Sequence, residues 1–409
     1  MKALVLAGGL PQIELIKRLK QRDYYIILAD YTNHPIAESY ADKFYQESTL
    51  DVEAMRKIAV SEKVDLIITV CTDQALNTVA LLSEELGLPC YIDALTGRNV
   101  TNKKYMKAIM QEEGIPTANY VLLKKGEYHI PDNFKFPLII KPVDCNSSKG
   151  VKKVTGSEDV KYFLDQAFAY SRTDDAIVEE FIDGKELSVD AYVVDGIPTI
   201  LCVSESQKVR EKEKFIIFRS VVPAGIPNHI YHDIQKIAIQ IVKNFNLKNC
   251  PLLIQMLYHD DKLWVIEFSA RTGGGLKHQL IHQMTGIDII DWTIDITLGV
   301  YKKPKKKRFD KYIINEYIYC YSGVYDHIEG LEELVNDEII DSYFVLKNPG
   351  TIFDGMNSSG DRIAEVTIIA DSITELNKKY KRMMNHTKVI DVNGKDMMRR
   401  DVSYEISLR

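Results

Sequence analysis

Apolar strand-like runs alternate with amphipathic helical runs through the first hundred residues, and no other feature constrains the fold as strongly. The strand pattern covers residues 3–7, 25–30 and 65–70, and the helical pattern covers 11–22, 52–63 and 73–86. Strands that are separated by helices predict a parallel sheet with helices on both faces. The fold class expected from this region is therefore α/β.

Glycines follow the first predicted strand at Gly8 and Gly9, and Asp30 ends the second, as they would in a dinucleotide-binding fold. The run Gly-Gly-Leu-Pro lacks the G-x-G-x-x-G spacing that brings the backbone close to a pyrophosphate. We therefore do not favour a dinucleotide site here. A Rossmann-type dehydrogenase stays an alternative, which a shift in nicotinamide fluorescence on mixing would reveal.

Residues 139–150 join a strand to a small polar loop that suits a phosphate group. A β-branched strand pattern leads into Lys141, and Pro142 stops its hydrogen-bond ladder. The loop that follows contains small residues whose backbone N–H groups can approach anionic oxygens. These residues are Asn146, Ser147, Ser148 and Gly150.

Two further regions carry polar side chains on predicted strands. Residues 176–194 are typical of two strands with a short connection, and residues 252–258 and 263–268 are typical of an apolar hairpin. Alternation along the second hairpin strand places three polar side chains on one face, those of Glu267, Ser269 and Arg271. The glycine run 273–275 follows and allows a backbone or a ligand to come close.

Taken in chain order, these motifs resemble those of the ATP-grasp superfamily of ADP-forming carboxylate–amine ligases. The chain looks like the biotin carboxylase, carbamoyl-phosphate synthase and L-amino-acid ligase branches, over roughly residues 1–300. The resemblance implies an ATP-grasp fold of mixed α/β and α+β class. It divides the chain into a Rossmann-like N-terminal domain at 1–100, an ATP-grasp domain at 101–300 with lobes at 101–180 and 181–300, and a C-terminal α+β module at 301–409.

The resemblance also implies a nucleotide site. Lys103 and Lys141 would reach the nucleotide phosphates, and the loop with Asn146, Ser147, Ser148 and Gly150 would cover them. The segment that pairs with adenine would be Glu179, Glu180, Phe181 and Ile182, and Glu186 would be the acid that binds the ribose. In the N-terminal domain, the strand ends at Gly8, Gly9, Asp30, Thr72 and Asp73 would face the acceptor substrate.

The metal site implied by the resemblance departs from the usual family pattern. Glu267 would bridge magnesium ions, with Mn²⁺ as an alternative ion, but Gln255 stands where an Asp or Glu is usual and Ser269 where Asn is usual. Neutral amide and hydroxyl oxygens are weaker ligands for a hard cation. Magnesium affinity would then rest mainly on Glu267 and on the phosphates of ATP. A non-catalytic nucleotide-binding protein therefore stays an alternative, and it would bind ATP without releasing phosphate.

The reaction implied by the resemblance is activation of a carboxylate as an acyl phosphate, followed by attack of an amine. Lys141 would stabilise the transferred phosphoryl group, and Arg271 would make bidentate contact with the acceptor. Arg219 and Arg210 lie in the region where related ligases hold a substrate carboxylate, and we predict Arg219 for this role. A bicarbonate-dependent carboxylase or carbamoyl-phosphate enzyme stays open, and ADP release with bicarbonate alone would favour it.

Composition agrees with a small-molecule enzyme. The net charge of −6 gives no support to nucleic-acid binding or membrane adhesion. No apolar run is long enough to span a bilayer, and the first residues are typical of a strand rather than a signal peptide. The six cysteines have neither metal nor redox spacing. We expect a cytoplasmic protein with carboxylate and amine substrates and no nucleic-acid or membrane partner, and the resemblance suggests a homodimer.

The remaining patterns indicate connections and packing. The charged run 302–308 is typical of a solvated connector, residues 312–321, 343–346 and 361–370 of strands, and residues 372–384 of a helix. His278 and His282 share a helix face at i, i+4, but the apolar residues between them favour packing over metal binding.

Overall fold

The structure, a computed structural model, describes residues 1–145, 150–209, 215–305 and 309–407. The predictions made for Asn146, Ser147, Ser148, Arg210 and part of the charged run at 306–308 fall outside the described residues. In the described ranges, none of the helices combines the length and the apolar character needed to cross a membrane. None of the six cysteines forms a disulfide within the same ranges.

The N-terminal region is a parallel sheet between two layers of helices. Its strands are β1 (Lys2–Leu6), β2 (Tyr25–Asp30), β3 (Lys43–Gln46) and β4 (Leu66–Ile68), in the order β3-β2-β1-β4, and its helices are α1 (Leu10–Lys20), α2 (Val52–Glu62) and α3 (Asp73–Leu86). Alternate residues of β1 belong to different cores: Ala3 and Val5 pack with α1, whereas Leu4 and Leu6 pack with α2 and α3. The predicted parallel sheet with helices on both faces is therefore confirmed.

A second, antiparallel sheet follows two helices. The helices are α4 (Ala94–Thr101) and α5 (Lys103–Glu112), and the strands are β5 (Tyr120–Lys124), β6 (Leu138–Pro142), β7 (Lys152–Val154) and β8 (Asp175–Glu180), with α6 (Val160–Tyr170) packed on them. The strand order is β5-β8-β6-β7. The core under α6 is apolar and includes Leu138, Ile140 and Leu164.

An eight-stranded sheet forms the largest layer among the described residues. Its strands, in spatial order, are β13 (Lys262–Ser269), β12 (Cys250–His259), β9 (Lys185–Val194), β10 (Ile197–Lys208), β11 (Ile217–Val222), β14 (Tyr312–Ile318), β18 (Ala364–Ala370) and β16 (Ser342–Val345). The helices between them are α7 (Asn228–Asn244), α8 (Lys277–Thr285), α9 (Ile289–Thr297), α10 (Leu331–Asn336) and α11 (Ile373–His386). A small third sheet joins β17 (Ile352–Phe353), β15 (Gly323–Glu329) and β19 (Lys388–Asp391).

The large sheet runs across the predicted domain boundary at residue 300. Strand β14 pairs with β11 on one side and β18 on the other, so the C-terminal strands extend the same sheet that β9 to β13 form. The C-terminal region is therefore continuous with the central sheet rather than a layer of its own. The domain limits themselves stay a prediction.

One face of the large sheet is apolar and the other is polar, although both are buried. On β9, Leu187, Val189 and Ala191 pack into the core under α7, and the residues between them point to the opposite side because side chains alternate along a strand. Cross-strand partners extend this second face over three more strands. We call it the polar sheet face, and its buried members include Glu186, Ser188, Asp190, Ser204, Ser206, Ser220, Asn315 and Tyr317.

Histidine 278 is a buried titratable group that gives the fold a defined pH dependence. Its side chain lies on α8, Nδ1 is 3.3 Å from the carbonyl oxygen of Gly275, and the residue is 6% exposed. Burial lowers the pKa of His278 from 6.5 to about 4. The unfolded chain therefore binds a proton that the folded chain does not, and stability falls as the pH drops from about 6.5 towards 4.

We expect the free energy of unfolding to fall by about 2 kcal/mol more in the native protein than in His278→Phe between pH 7 and pH 5, because of this linkage. Urea unfolding at both pH values measures the difference. His282→Phe, in which the replaced histidine is exposed on the same helix, is the matched control and should behave like the native protein. Parallel pH dependence in all three proteins would contradict the prediction.

Candidate active site

A cavity of about 360 Å³ lies between the second sheet and the polar sheet face. We call it the central cavity, and its volume is in the range of small-molecule sites. Strands β6, β8, β9, β12 and β13 and helix α5 all contribute to its lining. The structure brings together nine predicted site residues there: Lys103, Lys141, Glu179, Glu180, Phe181, Ile182, Glu186, Gln255 and Glu267.

One end of the central cavity is apolar and aromatic. Residues 181–184 line it where the chain leaves β8 in one sheet and enters β9 in another. The rings of Phe181 and Phe215 are 6.4 Å apart, Trp264 lines the same end, and the ammonium group of Lys153 lies 3.6 Å from the centre of the Phe181 ring. A flat heterocyclic base fits such a slot, because it can stack on apolar surface while its polar edge meets the backbone.

Next to this end, Glu186 projects from the polar sheet face into the cavity. Its carboxylate forms an ion pair of 2.6 Å with Lys208 of β10. An acid at this place can accept hydrogen bonds from sugar hydroxyl groups, as the resemblance implied.

The other end of the central cavity is cationic. Glu179 accepts from Lys141 at 2.7 Å and forms an ion pair of 2.8 Å with Lys107, and all three side chains are buried. Burial opposes ionisation of Glu179, but the two lysines hold its pKa at about 2. Burial lowers the pKa of Lys107 to about 8, against the attraction of Glu179. Two buried ammonium groups thus share one carboxylate, which leaves positive charge for an anionic ligand.

Lys103 adds a third buried ammonium group to this end. It forms an ion pair of 2.8 Å with Glu267 and donates to the carbonyl oxygen of Cys145 at 2.8 Å. Burial disfavours the charged form of Lys103, yet Glu267 raises its pKa above the ordinary lysine value. The contact with Cys145 fixes this lysine at the start of the predicted phosphate loop.

Lys107 is one of the site residues that the sequence interpretation missed, together with Lys153, Lys208, Phe215 and Trp264. Lys107 lies one helical turn after Lys103 on α5, and residues at i and i+4 share a helix face. The i, i+4 spacing was the available signal, because two lysines on the same helix face point into the same cavity.

A smaller adjoining cavity continues from the cationic end and shares Lys103, Gln255 and Glu267 with the central cavity. Arg271 lines it and forms a bidentate ion pair with Asp73 of α3, with Nε 2.5 Å from Oδ1. A third N–H of Arg271 donates to the carbonyl oxygen of Thr272 at 2.8 Å. Two of its five N–H groups have no acceptor among the described residues. Arg271 can therefore still bind an anion.

The three predicted metal ligands lie close together. Gln255 and Glu267 are directly paired across β12 and β13, Ser269 follows on the same strand, and all three line the adjoining cavity. The described residues contain no group of three or more His, Cys, Asp or Glu side chains that could hold a metal ion without other ligands. One carboxylate and two neutral oxygens fit magnesium if phosphate and water oxygens complete its shell.

Gly150 ends the predicted phosphate loop in a conformation that requires glycine. Its φ is +73°, and a Cβ there would lie 2.9 Å from the ring of Tyr170 and 3.1 Å from Pro142. The close approach packs the end of the loop against the strand that carries Lys141.

The structure corrects the role predicted for Arg219. Its neighbour Ser220 belongs to the polar sheet face, so Arg219 points to the opposite side of β11. There it is fully buried, forms an ion pair with Glu316 and donates to the carbonyl oxygen of Tyr404 at 2.6 Å. It lines neither cavity. Arg219 fastens the C-terminal segment to the sheet, and we withdraw it from the site.

Comparison with known proteins identifies the central region. A family model described as "ATP-grasp domain" matches residues 134–279, which include most of the central cavity's lining. The chain contains an ATP-grasp domain. A D-alanine–D-alanine ligase from Thermosipho africanus is 28% identical over 230 residues, which are 50% of this chain and 60% of that relative. The chain spans between about half and 60% of the length of the first curated relatives it matches.

Two solved structures share the fold over nearly the whole chain. An L-amino acid ligase from Bacillus licheniformis superposes with a TM-score of 0.77 at 18% identity and covers 96% of this chain and 99% of its own. The biotin carboxylase domain of a 2-oxoglutarate carboxylase from Hydrogenobacter thermophilus, solved with MgADP and bicarbonate, has a TM-score of 0.76 at 15% identity and covers 95% of this chain and 90% of its own. At this identity the similarity shows the fold, which is the ATP-grasp fold expected from the sequence.

We expect Arg219→Met to lower the free energy of unfolding by about 3–5 kcal/mol, because Glu316 then stays buried without its partner. Urea unfolding measures the loss, and the double variant Arg219→Met/Glu316→Gln should recover part of it. Nucleotide affinity of the folded single variant should match the native protein. Unchanged stability with a weaker acceptor affinity would instead restore the substrate role that we withdraw.

We expect Lys107→Met to weaken nucleotide binding by about tenfold or more. Glu179 would then pair with Lys141 alone and hold its ammonium group away from the phosphates. The fluorescence of Trp264, which lines the cavity, reports binding. Lys104→Met is the matched control, because Lys104 is the next residue after Lys103 on α5 but pairs with Asp175 instead. Equal affinities in the two variants would contradict the prediction.

Proposed function

We propose that the protein is an ATP-dependent ligase that joins a carboxylate to an amine with release of ADP and phosphate. The supporting observation is the convergence of Lys103, Lys141 and Glu267 at one end of a cavity whose other end is aromatic. These residues lie up to 164 positions apart in the chain. A base-sized slot followed by buried cations matches the shape and charge order of a nucleoside triphosphate.

The chemistry that this arrangement supports is transfer of the terminal phosphoryl group to a carboxylate. A carboxylate is a poor electrophile, and its mixed anhydride with phosphate is a good one because phosphate can leave. The transferred group carries negative charge on its oxygens, which the ammonium groups of Lys103 and Lys141 are placed to stabilise. Arg271, with two N–H groups still available, is placed to hold the acceptor carboxylate or the acyl phosphate.

The residues present fit ATP and magnesium as the bound groups. Glu180 to Ile182 and Glu186 would hold the nucleoside, whereas Glu179, predicted for the same segment, pairs with Lys107 and Lys141 at the phosphate end. Glu267, Gln255 and Ser269 would hold the metal together with the phosphates. Magnesium, when bound, supplies further positive charge at the phosphates. Small-molecule substrates and a homodimer remain part of this proposal.

The proposal is tested by measuring ADP release with a matrix of amino acids and dicarboxylates, with bicarbonate as a separate arm. We expect release to depend on both a carboxylate and an amine, and to fall about 100-fold or more in Lys141→Ala and in Glu267→Gln, because each removes charge stabilisation at the phosphates. Lys152→Ala is the control, since Lys152 lies on the same sheet outside the cavity lining.

The other outcomes identify the alternatives. ADP release with bicarbonate alone would place the protein among carboxylases or carbamoyl-phosphate enzymes. Nucleotide binding without ADP release for any acceptor would indicate a nucleotide sensor. Activity that survives both substitutions would reject the site.

A further inference from the structure

Asp190 is a buried acid that the nucleotide site does not use. It lies on the polar sheet face of β9 and is 1% exposed. Its Oδ1 accepts the backbone N–H of Gly273 at 2.7 Å, whereas Oδ2 has no hydrogen-bond partner among the described residues. A buried carboxylate oxygen without a partner is costly unless a ligand or water completes it.

Lys277 is a buried cation beside this acid. It is 4% exposed, and its ammonium group donates to the hydroxyl of Ser204. Its charge acts on Asp190, but the two side chains do not form a direct ion pair in the described structure. The carboxylate of Asp190 and the ammonium group of Lys277 thus lie near each other, and each can form a further hydrogen bond to a third group.

The glycine run closes over this pair. A Cβ on Gly273 would lie 2.8 Å from Cγ of Lys277 and 3.0 Å from Oδ1 of Asp190, so only glycine fits there. The next residue, Gly274, lies over the N-terminal domain, near the carbonyl oxygen of Cys71. The pair is therefore enclosed at the junction of the sheet, the glycine run and the N-terminal domain.

The position of the pair relative to the nucleotide follows from strand geometry. Glu186 and Asp190 are four residues apart on the same face of β9, which separates them by roughly 13 Å. Glu186 lies at the predicted ribose, and the charge of Arg271 reaches Asp190. Asp190 is thus beyond the phosphate end of the central cavity, on the side where Arg271 would hold the activated carboxylate.

We propose that Asp190 and Lys277 form the site for the amine substrate, that this substrate is an amino acid, and that Asp190 takes the proton from its ammonium group. The inference rests on the proposed ligase function and names the substrate class of its second step. An α-amino acid carries an ammonium and a carboxylate group side by side. Asp190 offers a negative charge to the ammonium group, and Lys277 offers a positive charge to the carboxylate group.

Amide formation removes two protons from the ammonium nitrogen of the amino acid. The ammonium group gives one proton to Oδ2 of Asp190, and the neutral nitrogen attacks the acyl carbon to form the C–N bond. The bond between the acyl carbon and the phosphate oxygen breaks, and phosphate leaves with the second nitrogen proton. Burial raises the pKa of Asp190, despite the opposing charge of Lys277 and the N–H of Gly273, which makes it a better base than an exposed aspartate.

Hydroxylamine separates this inference from the ligase proposal. It is uncharged at neutral pH, so it traps an acyl phosphate as a hydroxamate without needing a base or an amino-acid site. Hydroxamate and amide formation are measured side by side with the full-length protein, ATP, magnesium and the standard amino acids. Each amino acid is also compared, as the amine, with the primary amine that lacks its carboxylate.

We expect Asp190→Asn to keep hydroxamate formation and to lose amide formation by about 100-fold or more, because it lacks the base. Lys277→Met should raise the KM for the amino acid and leave the KM for the decarboxylated amine unchanged. Glu205→Gln is the control and should retain both activities. Glu205 is a buried acid on the neighbouring strand, but it is paired in register with Leu187 of the apolar face and forms an ion pair with Lys185, so it lies on the side of the sheet opposite to Asp190.

Three further results would reject either the ligase proposal or the inference about Asp190 and Lys277. Absence of hydroxamate in the native protein with every acid would reject the ligase proposal itself. Hydroxamate formation by the native protein without amide formation from any amino acid would overturn the inference about substrate class. Equal effects of Asp190→Asn on hydroxamate and amide, whether large or small, would overturn the role of Asp190.

Discussion

The site depends on one buried carboxylate, Glu179, that two buried lysines share. A buried ammonium group needs a counter-charge, and Glu179 at the end of β8 supplies it to Lys107 and Lys141 at once. With the pair of Lys103 and Glu267, three ammonium groups face two carboxylates. The cluster keeps one net positive charge, which attracts an anion. This excess of positive charge supports the proposed binding of phosphate groups.

The eight-stranded sheet connects the charged cluster to the rest of the molecule. Because side chains alternate, β9 supplies an apolar core to α7 with one set of residues and a buried polar face with the other. Glu186 on that face lies in the central cavity, and Asp190 lies further along the same strand. Strands β14, β18 and β16 continue the sheet, so the C-terminal region supports the polar face through backbone pairing and through the ion pair of Arg219 with Glu316.

The sequence predicted what is local and failed where partners are distant. The strands and helices follow from periodicity and turn residues, and the resemblance to the ATP-grasp superfamily implied the cavity residues Lys141, Glu179 and Glu267. The side on which Arg219 points is set by its pairing with Glu316, 97 residues away, and no local pattern encodes that register. The pair of Asp73 and Arg271 spans 198 residues. Such contacts depend on how sheets and helices meet, which the chain specifies only through the complete fold.

The unusual metal ligands are consistent with the same charge balance. A carboxylate at position 255 would lie directly across from Glu267 and would cancel the net positive charge of the three lysines. The neutral amide of Gln255 preserves that charge and still offers a hard oxygen ligand. In the proposed ligase, oxygens of the triphosphate would complete the magnesium shell. An amide in place of an acid is therefore compatible with the proposed catalysis, because the phosphates of a bound nucleotide would supply the negative charge that Gln255 lacks.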